Sequence, residues 1–87
     1  MENQRIKQVE TLVNKLDSII HELAAIKDRE IKDLNNIKNA QSDETQDEEL
    51  LESKQITIDK ICLSIYCIYE SIEHLEDAAG VVFLKNE

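Results

Sequence analysis

The sequence predicts an all-α protein: a long antiparallel helical hairpin that dimerises into a four-helix bundle or a coiled-coil-like assembly. Apolar residues recur in unbroken steps of three and four from Ile58 to Leu75. This is the heptad spacing of helices that pack along one seam. One glycine and no proline occur in the 87 residues, so little interrupts a helix. A short polar segment separates two heptad stretches, and a short connection between long helices indicates an antiparallel pair.

The chain is predicted to form a single helical-hairpin domain over residues 1–87, since so few residues build one small core at most. The expected order is helix one over about 3–38, an acidic linker over 39–46, helix two over about 46–79 and an apolar tail over 80–87. Small helical domains of this size need a disulfide, a metal or a partner for stability.

Helix one carries an apolar stripe that is wider than a two-stranded seam requires. Leu12, Ile19 and Ile26 form a third apolar row beside the two rows of the seam. A stripe of this width suits a bundle of three or more helices. Lys27 and Glu30 interrupt the seam, which predicts either a local adjustment of packing or a polar layer that fixes register.

Helix two is predicted to begin at a capping box that spans Thr45 and Glu48 and to end at Gly80, which can adopt the left-handed conformation. If the hairpin turns near residues 42 and 43, the numbers of facing residues add up to about 85. Glu30 then faces Lys54. The predicted polar register layer consists of Lys27, Glu30 and Lys54.

The segment 61–69 is apolar on almost every side, so one helical neighbour would not cover it. Small residues also recur at seven-residue intervals, where another helix can approach closely. The apolar tail is expected to pack on the hairpin, to extend helix two or to add as a strand to a partner, with Phe83 as its anchor. The predicted partner or oligomer interface comprises Ile56, Cys62, Leu63, Ser64, Tyr66, Cys67, Tyr69, Ser71 and Phe83.

Cys62 and Cys67 point about 140° apart on a helix, so they cannot form a disulfide within it. Their apolar neighbours favour buried thiols in a reducing compartment. The opening residues lack the apolar core of a signal peptide, and no apolar run approaches the ~20 residues that span a bilayer. We therefore expect a soluble, cytoplasmic protein.

The net charge of −9 argues against binding to nucleic acid, which requires Lys and Arg. The pair His21–Glu22 begins an HExxH zinc motif but the second histidine is absent, and no Ser/His/Asp set or phosphate loop occurs. We expect no enzyme activity, no cofactor, no metal and no small-molecule substrate.

Two classes of function remain open. The first is a non-enzymatic interaction module, such as a subunit, adaptor or small chaperone, that uses the apolar face of helix two to oligomerise or to dock a partner helix. In size and architecture, though in no specific motif, the chain is similar to small hairpin co-chaperones of type III secretion, which implies a docking role for residues 65–69. The alternative is an acidic stoichiometric inhibitor of a basic protein, as in antitoxins, immunity proteins and anti-factors.

Overall fold

Two long helices pack against each other as a hairpin in the computed structural model, which describes residues 2–40 and 48–83. Helix α1 spans Glu2–Ala40 and helix α2 spans Glu48–Ala79. The described part of the chain contains no strand and measures 66 × 20 × 15 Å. The predicted all-α hairpin is confirmed.

The helices end close to where the sequence places them. α1 begins one residue before and ends two residues after the predicted span of 3–38. Glu48 and Glu49 occupy the first turn described for α2, where the helix dipole favours negative charge. The predicted linker residues 41–46, the start of helix two at 46 and the capping residue Thr45 lie outside the described residues. The same holds for tail residues 84–87.

Gly80 ends α2 in the left-handed conformation that the sequence predicts, with a φ of 72°. Its N–H donates to the carbonyls of Glu76 and Asp77 at 2.8 and 3.2 Å, and the N–H of Val81 donates to the Glu76 carbonyl at 3.2 Å. This pattern is a Schellman motif, which satisfies carbonyl groups that the helix end leaves without partners. Glycine suits the position because its lack of a Cβ removes the cost of a positive φ.

The interior of the hairpin follows the heptad seam. We letter the heptad so that Val13 and Ile72 occupy position a, and positions a and d then form the seam. Every described residue of the helices at d is half-buried, whereas every one at b, c and f, away from the seam, is exposed. The buried apolar side chains all occupy a positions: Val13, Ile20, Leu34, Ile58 and Ile72. The core is therefore a single line of side chains between two helices.

The facing residues follow the predicted register. Val13, Ile20 and Ile72 form one buried cluster, against which Ile65 packs. The predicted register pairs Val13 with Ile72 and Ile20 with Ile65 across the seam, and these four residues pack together. Ile65 and Ile68 are half-buried and not fully enclosed, because α1 covers only one side of α2.

Replacing the most enclosed residue of α2 tests whether this seam is the core. Ile72 is 2% exposed, so Ile72→Ala should lower the free energy of unfolding by about 2–5 kcal/mol, since it removes buried methyl groups and leaves a cavity. Ile56→Ala, at an exposed position of the same helix, should cost about 0.5 kcal/mol or less. Denaturant titration at one fixed protein concentration measures both changes. Equal costs at the two sites would show that the seam is not the core.

Candidate functional site

A polar layer crosses the seam where the apolar stripe of α1 is interrupted. The Nζ of Lys54 donates a hydrogen bond to Oε2 of Glu30 at 2.7 Å and lies 3.8 Å from Oδ2 of Asp33. The side chains of Lys54 and Glu30 are 26% and 23% exposed. The predicted pairing of Glu30 with Lys54 is confirmed. Sequence reasoning missed Asp33, although it lies one turn beyond Glu30 and therefore on a neighbouring face.

The surroundings of Lys54 favour its charged form. The hydrogen bond to Glu30 raises the pKa of Lys54 above the ordinary lysine value of 10.5; partial burial opposes this, and the charges of Glu30 and Asp33 add to the rise. Lys27, the third predicted member of the layer, is half-buried one turn before Glu30. Both ion pairs recorded in this layer are made by Lys54.

The largest group of exposed apolar side chains lies on the side of α2 that faces away from the seam. Four large members are 45–61% exposed, and Cys62 and Cys67 are exposed free thiols between them. The predicted burial of these two thiols is wrong for the hairpin, because α1 does not cover this side of α2. We call this surface the outer face of α2; it consists of Ile56, Cys62, Leu63, Tyr66, Cys67 and Tyr69. All six belong to the interface that the sequence predicts, and their use as an interface stays a prediction.

The outer face is continuous from Cys62 to Tyr69, where its members are three or four residues apart. Ile56 lies two turns before Leu63, with Asp59 and Lys60 between them. Leu63 has Tyr66 at i+3 and Cys67 at i+4, and Tyr69 follows Tyr66 at i+3; residues at these spacings are neighbours on a helix. Since the seam occupies the opposite side of α2, packing against α1 leaves this surface accessible.

The other predicted interface residues lie elsewhere. Ser64 and Ser71 are exposed on one flank of α2, and their hydroxyls donate to the carbonyls of Lys60 and Cys67 in the same helix. Phe83 is half-buried and packs against the cluster around Val13. Its N–H donates to Oε2 of Glu76 at 2.7 Å, so the described part of the tail turns back onto the hairpin. Packing on the hairpin was one of the predicted alternatives for Phe83.

The structure adds a second exposed apolar row that the predicted interface did not include. Leu12, Ile19 and Ile26 are 41–48% exposed on α1. The sequence signals this row, because the three residues form the third row of the apolar stripe at seven-residue spacing. What the sequence leaves open is whether α2 covers the row.

The described residues contain no group of three or more His, Cys, Asp and Glu side chains placed to hold a metal ion. His21 lies 3.4 Å from Asp17 on the same helix, a local surface contact. A shallow depression at Glu49, Glu52, Ser53, Ile56 and Thr57 is lined by α2 alone. Neither described helix has a stretch long and apolar enough to cross a bilayer.

No protein-family model matches the sequence, and comparisons with the curated proteins and with the solved structures found no significant similarity. Three surface features of the hairpin therefore bear on its function. These are the outer face of α2, the exposed row of α1 and the acidic side chains between them.

Replacing the polar layer by leucine should separate stability from register. In Glu30→Leu with Lys54→Leu, we expect unchanged helix content and an equal or higher melting temperature, because apolar residues often replace a partly buried ion pair at no cost. The double variant should populate more than one register, since a polar residue in the seam restrains sliding. Circular dichroism and spin-label distances between the helices measure the two properties.

A matched control replaces one lysine and one glutamate that lie outside the seam. Lys32→Leu with Glu70→Leu changes exposed f positions and should keep one register. A single register in both double variants would show that the polar layer does not restrain sliding.

Alkaline pH should weaken the ion pair of Lys54. Because its folded pKa is raised above the unfolded value, the stabilisation is fully present below the unfolded pKa near 10.5 and is lost as pH rises through the folded pKa. The difference in free energy of unfolding between wild type and Lys54→Met should therefore be constant from neutral pH to about pH 10 and shrink above it. Urea titrations across this range measure it. A difference that grows with pH would contradict the assignment.

Proposed function

We propose that this hairpin is a non-enzymatic protein–protein interaction module, a subunit, adaptor or small chaperone that assembles into a helical bundle and docks a helix of a partner. The outer face of α2 is the observation that carries the proposal. A continuous apolar surface that the fold itself leaves exposed is typical of a protein interaction site.

The residue types of the outer face suit an interface. Tyr66 and Tyr69 each combine a large apolar ring with a hydroxyl that can stay in water, and aromatic residues contribute strongly to binding energy. Leu63 lies beside Tyr66 and provides the aliphatic centre of the surface. Docking of an amphipathic helix onto such a face would use apolar anchors at spacings of three and four residues.

The charges around the outer face indicate the chemistry of the partner. Asp59, Glu70 and Glu73 are exposed at its edges, against one exposed cation among the described residues there, Lys60, so the surroundings are acidic on balance. A partner helix with an apolar stripe flanked by Lys or Arg would complement this surface, and complementary charge speeds association and selects the partner.

The acidity of the chain supports a second candidate function. The net charge of −9 and the exposed acids along one side of the hairpin suit a stoichiometric inhibitor that covers a basic protein. The two candidates differ in where the binding energy resides: in apolar contacts of the outer face or in charge.

Quantitative capture of partners from the native cell distinguishes the candidates. Three tagged chains are compared: wild type, Leu63→Ser with Tyr66→Ser, and Glu48→Gln with Glu49→Gln and Glu52→Gln. If the outer face docks the partner, the Ser variant should retain less than about a tenth of it, which corresponds to a loss of ~1.4 kcal/mol or more. The Gln variant should retain most of it.

Both variants change exposed side chains, so circular dichroism should show wild-type helix content for each. Retention of the partner by the Ser variant together with its loss from the Gln variant would favour the inhibitor. Equal retention by both variants would contradict docking through the outer face.

A further inference from the structure

The exposed apolar row of α1 lies on a different side of the hairpin from the outer face of α2. Asp33 continues the row of Leu12, Ile19 and Ile26 at the same spacing and lies 3.8 Å from Lys54 of α2. The row therefore borders α2 on the side of Lys54. Three residues beyond Lys54, a row of small side chains begins on α2; it consists of Thr57, Ser64 and Ser71. We call the surface formed by these two rows the ridge side.

We propose that two copies of this chain associate through their ridge sides, with α1 of each packing against α2 of the other in a four-helix bundle. The Ala40 and Glu48 ends of both hairpins then lie at the same end of the bundle. This inference rests on the proposed interaction function and names one partner, a second copy, and the surface that it covers.

The two rows of the ridge side have complementary sizes at similar heights. In the observed register Leu12 lies within about 3 Å of the height of Ser71, and the same holds for Ile19 with Ser64 and for Ile26 with Thr57. A twofold axis along the hairpin places each large side chain of one copy against the small side chain at nearly the same height of the other. A perpendicular axis would instead oppose large to large and small to small, which leaves clashes and cavities.

The small row can be covered without loss of hydrogen bonds. The hydroxyls of Thr57, Ser64 and Ser71 all donate to carbonyls four residues earlier, at 3.0–3.1 Å. A hydroxyl that is already bonded within its own helix avoids most of the cost of burial. The row therefore presents an approach surface for a helix although its residues are polar.

The distribution of charge selects this side for contact between identical copies. The e and g positions flank the seam, and the b and c positions lie outside them. The c and g positions of both helices lie on the ridge side, and the b and e positions lie on the opposite side. The ridge side carries four cations and two acids: Arg5, Lys15, Arg29, Lys60, Glu22 and Asp33. The opposite side carries two cations and eight acids: Lys7, Lys38, Glu10, Asp17, Asp28, Glu48, Glu52, Asp59, Glu73 and Glu76. Two copies that met through the second side would bring many like charges together.

At the edge of the proposed contact, Glu22 of one copy falls within reach of Lys60 of the other, because both occupy c positions at similar heights. The available area is also sufficient. Covering two thirds of a face of 66 × 20 Å removes roughly 900 Å² per copy, or about 1,800 Å² in total, which lies in the range of stable interfaces. A second copy would thus enlarge the thin core of the single hairpin.

Light scattering and cysteine pairing test the proposal. Purified wild-type chain should be a dimer at micromolar concentration, and Ile19→Glu should weaken the dimer at least 100-fold. The matched control, Ile56→Glu on the outer face, should leave it unchanged. A monomeric wild type, or an Ile19→Glu chain as dimeric as wild type, would overturn the proposal.

The arrangement is tested in a Cys62→Ser, Cys67→Ser background under mild oxidation. Chains with Ile19→Cys, refolded together with chains with Ser64→Cys, should form mixed disulfide-linked dimers, whereas Ile19→Cys alone should not. Efficient linkage of Ile19→Cys to itself would overturn the arrangement. Capture of a partner by the outer face is measured separately from dimerisation. If wild-type chain captured its partner but did not dimerise, the ridge-side dimer would be refuted and the proposed interaction function would stand.

Discussion

The antiparallel seam between α1 and α2 determines which side chains of the two described helices are covered and which are exposed. If one helix moved along the other by seven residues, apolar residues of the seam would again face apolar residues, but the polar layer would lose its pairing. A slip would carry Lys54 away from Glu30 and leave a carboxylate beside apolar residues, which is costly. The register in turn decides that Ile19 lies near the height of Ser64 and that Leu63 points away from α1.

The thinness of the seam links the fold to the proposed function. Two helices can enclose one line of side chains, and the five buried apolar residues all occupy that line. Most of the large exposed apolar residues of the two helices are left at two surfaces, the outer face of α2 and the ridge side. The ridge side has the size complementarity and charge for a second copy, whereas the outer face has acidic edges that suit a different, basic partner. A bundle built through the ridge side leaves Tyr66 and Tyr69 accessible for that partner.

The sequence predicts the hairpin well because its signals are local and periodic. The heptad spacing predicts the seam, and Gly80 predicts the end of α2. Polar residues interrupt the seam of both helices at the same height, which predicts the pair of Glu30 and Lys54. Two features needed the three-dimensional structure. Asp33 joins the polar layer only because the register brings Lys54 near the flank of α1. Leu12 and its row could have been enclosed by α2, and periodicity cannot distinguish a covered third row from an exposed one.

Cross-linking within one chain tests the register most directly. In a Cys67→Ser background, native Cys62 is combined with Ala24→Cys, Asp17→Cys or Ile31→Cys, all at e positions on the same side of the hairpin. Neighbouring e positions are about 10 Å apart along the helix axis. A short bismaleimide should link Cys62 to residue 24 much faster than to residue 17 or 31. Fastest linkage to residue 17 or 31 would show that the helices are shifted by a heptad and would contradict the account.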